Sequence, residues 1–274
     1  MSDSRVSDLL ILGAMRSGST SLYRYLGAHP DIYLAPKELG FFTNHFDQGL
    51  DWYREQFAGR TEAVVGEATA DYLARPSAMR RIVTTLPHAK LVASLREPVA
   101  RAFSHHGLLS TRGVDKRSFA EAIDEELAAV AEHGPDAEGV FYLSHGLYDV
   151  HLRRWFDLVD RDRLQLVVFD DLRGAPQKVY QDLCRHLGVA DTEVPDIVGE
   201  AVNPYVTFRS IPLRKLSQRM PRPMGRAIAR LNTRQNAARP EMSLGTKAKL
   251  VDFYRQRIDA VEALTGLDLS RWKD

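Results

Sequence analysis

The chain of 274 residues contains one cysteine, Cys184, so it can form neither an intrachain disulfide nor a cysteine-based zinc cluster. No apolar run approaches the ~20 residues that cross a bilayer. Met1 to Asp8 are polar and mixed in charge, unlike a secretory leader. These absences predict a cytoplasmic protein. A dominant charge is also missing: 37 Lys and Arg against 36 Asp and Glu leave +1, which argues against whole-surface attraction to nucleic acid. The histidines show no HExxH or similar zinc spacing, and there is no G-x-S-x-G nucleophile elbow. No internal repeat is visible. The composition, 44% hydrophobic and 27% charged, is that of an ordinary globular protein with ample core.

What the chain does have begins near its start. Leu9-Leu10-Ile11-Leu12 is a short apolar run, Gly13 to Gly18 is a glycine-bounded turn, and Leu22, Tyr25 and Leu26 share a helical face. Strand, turn and helix in that order gather backbone N–H groups at a helix N-terminus, where the dipole favours an anion. Gly13 and Gly18 keep the spacing of the phosphate loop G-x-x-x-x-G-K-[ST], but Ser19 stands at the lysine position. That lysine would reach β- and γ-phosphates, and the hydroxyl after it would hold magnesium. Here the cation is Arg16, within the loop, among hydroxyls at Ser17, Ser19, Thr20 and Ser21. Such a loop suits one phosphate and a charged bridging atom. The plainer reading of the same residues is a turn that only starts a helix.

Strand and helix patterns then alternate. Ile32–Leu34, 63–67, Lys90–Leu95 and 164–169 read as strands, the later ones as apolar runs typical of parallel sheets. Helical patterns cover 118–132, 142–159 and 250–264, and Trp272 is expected to pack the terminus. The expected fold is α/β: one domain, residues 1–274, with a central parallel sheet flanked by helices, in the manner of P-loop nucleoside triphosphatases. Such sheets bind ligands beyond the carboxyl ends of their strands, which singles out Lys37-Glu38 before Phe41-Phe42, and Arg96-Glu97-Pro98. Pro98 opens a helix on which Arg101, Ser104 and His105 share a face. Taken singly, Lys37-Glu38 is a surface loop, Arg96 an ion-pair partner of Glu97, and Ser104 a surface serine. Asp170-Asp171 stands where a Walker B aspartate would, as a metal ligand or as a cap of the next helix.

Residues 201–240 contain no Asp or Glu but nine Lys and Arg, and Arg222, Arg226, Arg230 and Arg234 repeat every four residues. If helical, they make one cationic stripe. It is either a solvated face or the rim of a site for an anionic acceptor, or a surface for peripheral membrane contact.

Gly13 to Leu22, Lys37-Glu38 before Phe41-Phe42, and Arg96-Glu97-Pro98 with Ser104 eight residues after Arg96 together resemble the sulfotransferases that use PAPS (3′-phosphoadenylyl sulfate). Gly146-Leu147-Tyr148 through Leu152 and Trp155, the strand to Phe169-Asp170, and Arg239-Pro240 before the last helix look like the heparan sulfate sulfotransferase branch and its stand-alone bacterial relatives. The resemblance implies that Arg16, Ser17, Gly18, Ser19, Thr20 and Ser21 hold the 5′-phosphosulfate. It implies that Arg96 and Ser104 hold the 3′-phosphate, that Arg239 lies in the loop closing over the nucleotide, and that Glu38 is the catalytic base, with Arg16 as the catalytic cation. PAPS would be the donor, PAP the product, and no metal would be required. The chain departs from the family pattern at Arg16, commonly Lys, at Gly40, often His, and at Ala68, a substrate-side Lys in heparan enzymes; the R-K-G signature near Arg239 is absent. The implied acceptor is a hydroxyl or amine of a carbohydrate, lipid or small metabolite. His105 and His106 are the next bases should Glu38 not serve. A P-loop kinase and a non-catalytic nucleotide-binding protein are the rival readings.

Overall fold

Each strand of the central sheet runs into one of the segments singled out above, and the arrangement begins with β1, Leu9–Gly13. The computed structural model describes residues 5–137, 139–200 and 241–273, with 206–208, 212–213, 220, 224, 228, 231 and 233–235 between them. Successive side chains of a strand point to opposite faces. In β1, Leu10 and Leu12 enter one apolar cluster while Leu9 and Ile11 enter the other. Both faces are therefore covered, which is the situation of a parallel sheet.

The chain continues through α1 (Ser19–Leu26), β2 (Ile32–Leu34), α2 (Phe41–Asn44), α3 (Gly49–Glu55), β3 (Val64–Ala68), α4 (Pro76–Thr85), β4 (Lys90–Leu95) and α5 (Pro98–Thr111). It then forms α6 (Phe119–His133), α7 (Tyr148–Phe156), β5 (Leu164–Val168), α8 (Phe169–Gly174), α9 (Pro176–Leu187), β6 (Val206–Phe208), β7 (Thr233–Gln235) and α10 (Leu244–Thr265). The sheet order is β2-β3-β1-β4-β5, all neighbours parallel, and β6 with β7 forms a separate antiparallel pair. The strand order changes direction at β1, so the crevice at its carboxyl end is the place where such sheets take ligands. The result is one α/β domain with a parallel sheet flanked by helices, as expected.

Individual elements follow from their residues. α6 carries a capping box, with the Ser118 hydroxyl accepting from Glu121 N and the Glu121 carboxylate accepting from Ser118 N. α9 ends at Gly188 in the left-handed region, φ 75°. Trp272 is buried, as expected. The helical pattern over 142–159 is realised only in part: a 3₁₀ turn at Ser144–Gly146 precedes α7. Just ahead of that turn stands Glu126, on α6 and almost fully buried. Its carboxylate accepts from Phe141 N at 2.7 Å, Tyr142 N at 2.8 Å and Leu143 N at 2.7 Å, so these donors are satisfied without helix.

Candidate active site

The cradle follows β1, Lys37-Glu38 follows β2, Thr69-Ala70 follows β3, Arg96 follows β4 and Phe169 follows β5. Parallel strands of similar length deliver their C-terminal residues to one edge, so five distant segments become neighbours.

Gly18, φ 97°, caps α1, and the first turn of that helix holds no acidic residue. Its N–H groups thus meet no carboxylate from their own turn, which leaves the positive end of the dipole for a bound anion. Neither glycine of the loop has room for a side chain. A Cβ on Gly13 would lie 2.2 Å from the Ala70 carbonyl oxygen, and one on Gly18 would lie 2.8 Å from Leu172 and 3.0 Å from the Phe169 ring. Ala14 N donates to Ser94 O at 2.7 Å and the Ser94 hydroxyl donates to Ser17 O, which ties the loop to β4. Ser17 and Ser19 are buried, while Thr20 and Ser21 are half-buried.

Arg16 reaches out of this loop. Its Nε donates to Ser104 Oγ at 3.1 Å, and Arg96 Nη1 donates to Arg16 O at 3.2 Å. Arg16, Arg96 and Ser104 therefore form one hydrogen-bonded group drawn from the cradle, the end of β4 and the middle of α5. The Arg96 guanidinium lies over the Phe169 ring, 4.8 Å from its centroid, a cation–π contact. Its backbone is held by Tyr148 of α7: Arg96 N donates to the Tyr148 hydroxyl at 3.3 Å, and that hydroxyl donates to Arg96 O at 3.0 Å. Burial raises the Tyr148 phenol above its usual range, so the hydroxyl keeps the proton that it donates. Glu97 caps α5, its carboxylate accepting from Val99 N at 2.7 Å and Ala100 N at 2.6 Å.

Glu38 N donates to Ala68 O at 2.8 Å, and Glu38 Oε2 accepts from Ala70 N at 3.2 Å. The Lys37 ammonium pairs with Glu38 Oε1. Ala70 thus donates its N–H to Glu38, while its carbonyl oxygen packs where a Cβ on Gly13 would stand, so the Glu38 carboxylate and Gly13 both border Ala70. Among the described residues, the non-glycine positions with left-handed backbone are Arg16, φ 70°, and Glu38, φ 61°. That conformation costs an L-residue of order 1 kcal/mol and persists where surrounding contacts over-determine it. Neither Ala70 nor Tyr148 stands out by residue type or spacing as a site residue.

The other candidates separate from this group. His105 is buried and driven down to about 3, first by burial and then by the charges of Arg101 and Arg16, too low for a useful base. His106 Nε2 lies 3.0 Å from the Arg117 carbonyl, turned to backbone. Arg101 is fully buried and its guanidinium donates to Tyr142 O. Asp170 accepts from Trp272 Nε1 at 3.1 Å, and Asp171 from Arg271 Nη2 at 2.6 Å, so both carboxylates tie down the C-terminal turn. Among the described residues no group of three His, Cys, Asp or Glu gathers at metal-binding distance, and no helix is long and apolar enough to cross a membrane. Arg222, Arg226, Arg230 and Arg239 lie outside the described residues. Arg234 belongs to strand β7, so a single helical stripe does not extend through it.

A parallel α/β sheet whose first strand leads through a glycine-capped loop into a helix is the P-loop nucleoside triphosphatase-like fold. Residues 6–211 match the model of the sulfotransferase domain, and the chain belongs to that family. It is 30% identical over 196 residues to bifunctional heparan sulfate N-deacetylase/N-sulfotransferase 1 of Caenorhabditis briggsae, covering 67% of this chain and 23% of that protein. With the protein of the same name from Mus musculus it shares 29% identity over 270 residues, 92% of this chain and 28% of the relative. The chain thus spans about a quarter of the length of these relatives. A crystal structure of a sulfotransferase from Alicyclobacillus acidocaldarius superposes with a TM-score of 0.74 at 28% identity, covering 98% of this chain and 100% of that one.

Proposed function

We propose that this chain, acting as one sulfotransferase domain over 1–274, moves the sulfuryl group of PAPS to a hydroxyl or amine of a carbohydrate, lipid or small-metabolite acceptor. The observation that supports it most is the hydrogen-bonded group of Arg96, Arg16 and Ser104, with the Glu38 loop at the same carboxyl edge of the sheet. The fit to the donor is chemical. A cation, a run of hydroxyls and a carboxylate-free helix start suit a phosphosulfate, while a second cation and a serine suit one further phosphate. A triphosphate with magnesium would want the lysine that Ser19 replaces.

In this reading the donor supplies an activated sulfur. The acceptor oxygen or nitrogen forms a bond to that sulfur as the bond from sulfur to the 5′-phosphate oxygen breaks, and the electron pair leaves on PAP. Glu38 takes the acceptor proton as general base. Arg16 and the cradle N–H groups stabilise the charge that grows on the leaving oxygen. Arg96 and Ser104 hold the 3′-phosphate. The names of the relatives bring an amine on a sulfated polysaccharide among the candidate acceptors. Radiolabelled transfer from PAPS into a panel of cell extracts, with identification of the labelled product, decides the acceptor class. A panel in which no fraction is labelled while PAP still binds would point to a binding protein.

Two further outcomes are expected. PAP at ~100 times its dissociation constant should stabilise the fold by roughly 2.7 kcal/mol, read as a rise in melting temperature, whereas MgATP should not. A shift with MgATP and none with PAP would reverse the assignment to a kinase. Arg96→Ala should weaken PAP binding by about 1.5–3 kcal/mol, the range of hydrogen bonds to a charged group. Tyr148→Phe removes only the hydroxyl that brackets the Arg96 backbone and should weaken PAP by about 0.5–1.5 kcal/mol. Calorimetric titration with PAP measures both. If Tyr148→Phe binds PAP like the parent, Tyr148 does not position Arg96.

A further inference from the structure

We propose that Glu67 is a positioning residue for the transfer reaction: its buried carboxyl, acting through Thr69 and Tyr72, holds the backbone of the loop that carries Glu38. This rests on the reading of Glu38 as the base.

Glu67 lies in β3 and is fully buried, an unusual place for a carboxyl group, since charge there must be compensated. The compensation is specific. Glu67 Oε2 accepts from the Thr69 hydroxyl at 2.8 Å, and that hydroxyl oxygen accepts from Gly40 N at 3.0 Å. Glu67 Oε1 accepts from the Tyr72 hydroxyl at 3.0 Å, and that oxygen accepts from Phe42 N at 3.2 Å. Tyr53 of α3 adds a third donor at 3.2 Å. Two chains thus run from one carboxyl to the backbone N–H groups two and four residues past Glu38. The first of these residues, Gly40, has φ 67°, and Glu38, two residues before it, has φ 61°. Two left-handed positions this close together need fixed partners, and Glu67 is the common anchor of both chains.

The groups that face Glu67 are Tyr53 on α3, Tyr72 on the turn after β3, Thr69 at the end of β3 and, through its charge, Glu38 on the loop after β2. Burial pushes Glu67 up to about 7; the hydroxyl donors oppose this, and the charge of Glu38 adds to it. Above that pH the carboxylate accepts from all three hydroxyls. Below it the carboxylic acid must give its own proton to one of them, so a donor in the network turns round. The expected sign is therefore a transfer rate that falls as pH drops through about 7. Because the fold holds this proton more tightly than the unfolded chain does, stability is expected to fall as pH rises from 4.5 to about 7.

Three variants test the anchor. Glu67→Gln keeps one acceptor oxygen and presents N–H where the acid presents O–H, so it mimics the protonated arrangement. Thr69→Val removes one relay at nearly constant volume, and Thr69→Ser restores it. In transfer from labelled PAPS to the extract fraction that the parent labels, Thr69→Val should lose on the order of 10- to 100-fold in kcat, with PAP affinity unchanged. Thr69→Ser should recover most of the loss. Glu67→Gln should show, between pH 6 and 8, a flat kcat equal to the low-pH value of the parent, and its melting temperature should lose the parent's decline with pH. Amide hydrogen exchange at Gly40 and Phe42 should accelerate in Thr69→Val. Parent-like kcat in Thr69→Val together with parent-like exchange at Gly40 would overturn the proposal, as would a pH limb near 7 retained in Glu67→Gln. Glu38→Gln run in parallel separates the two ideas. If Glu38→Gln is inactive and Thr69→Val is not impaired, only the anchor fails. If Glu38→Gln turns over, the base assignment fails, whatever Glu67 does.

Discussion

Glu38→Gln is expected to lower kcat by ~10²–10⁴-fold, the usual cost of removing a general base, while PAP affinity stays close to that of the parent. The substitution keeps the length of the side chain and its acceptance of the Ala70 N–H at 3.2 Å. What it removes is the capacity to take a proton from the acceptor. It also removes the charge that pairs with Lys37, but that pair is partly exposed and surface pairs contribute little. Glu38 is assigned no role toward the nucleotide, so a fall in kcat without a fall in PAP binding separates catalysis from folding. Turnover and calorimetric PAP binding measured on the same preparation decide the matter. Turnover within a few-fold of the parent would remove Glu38 from the mechanism. His105 would not inherit the role, since burial and the Arg101 and Arg16 charges hold it neutral down to about 3.

Arg16→Ala should cost ~10²–10³-fold in kcat, as expected for loss of one fixed donor to a developing oxyanion. Unlike the Glu38 variant, it should also weaken PAP, because Arg16 belongs to both halves of the site. Its Nε donates to Ser104 at 3.1 Å and its carbonyl accepts from Arg96 at 3.2 Å. The carbonyl survives any side-chain change, so Arg96 keeps that contact; Ser104 loses its donor. Arg16→Lys should recover much of the rate, since an ammonium supplies the charge, but not the planar reach to Ser104. Single-turnover rates with saturating PAPS measure the chemical step. A fully active Arg16→Ala would show that the cradle N–H groups stabilise the leaving oxygen without help.

The cradle, Lys37-Glu38 and Arg96 were legible in the sequence because each sits just beyond an apolar strand, and strand ends are where a parallel sheet exposes ligand sites. Helix starts were equally legible at Ser118 and Pro98, where caps are set by local chemistry. The helix expected over 142–159 is realised only in part: a 3₁₀ turn takes 144–146, and Glu126 of another element holds the N–H groups of 141–143. Periodicity reports which face is apolar, but it carries nothing about a carboxylate arriving from a distant helix. Asp170 and Asp171 could be read as metal ligands only while Arg271 and Trp272, their partners about a hundred residues away, were not seen beside them.

The sequence by itself determined the class of fold, the phosphate-cradle spacing, the absence of the triphosphatase lysine and the residue types at each strand end. All of these depend on neighbours within a few positions. The tertiary structure alone decided that Arg16, Ser104 and Arg96 share hydrogen bonds, that Ala70 donates to Glu38 and packs against Gly13, and that Arg16 and Glu38 adopt left-handed backbone. It also decided that Glu67, an unremarked residue at the end of an apolar strand, stands beneath the Glu38 loop as the acceptor of three hydroxyls. The reason is physical. A backbone conformation unfavourable for its own residue, and a carboxyl group buried among hydroxyl donors, are both sustained by contacts from segments far apart in the chain.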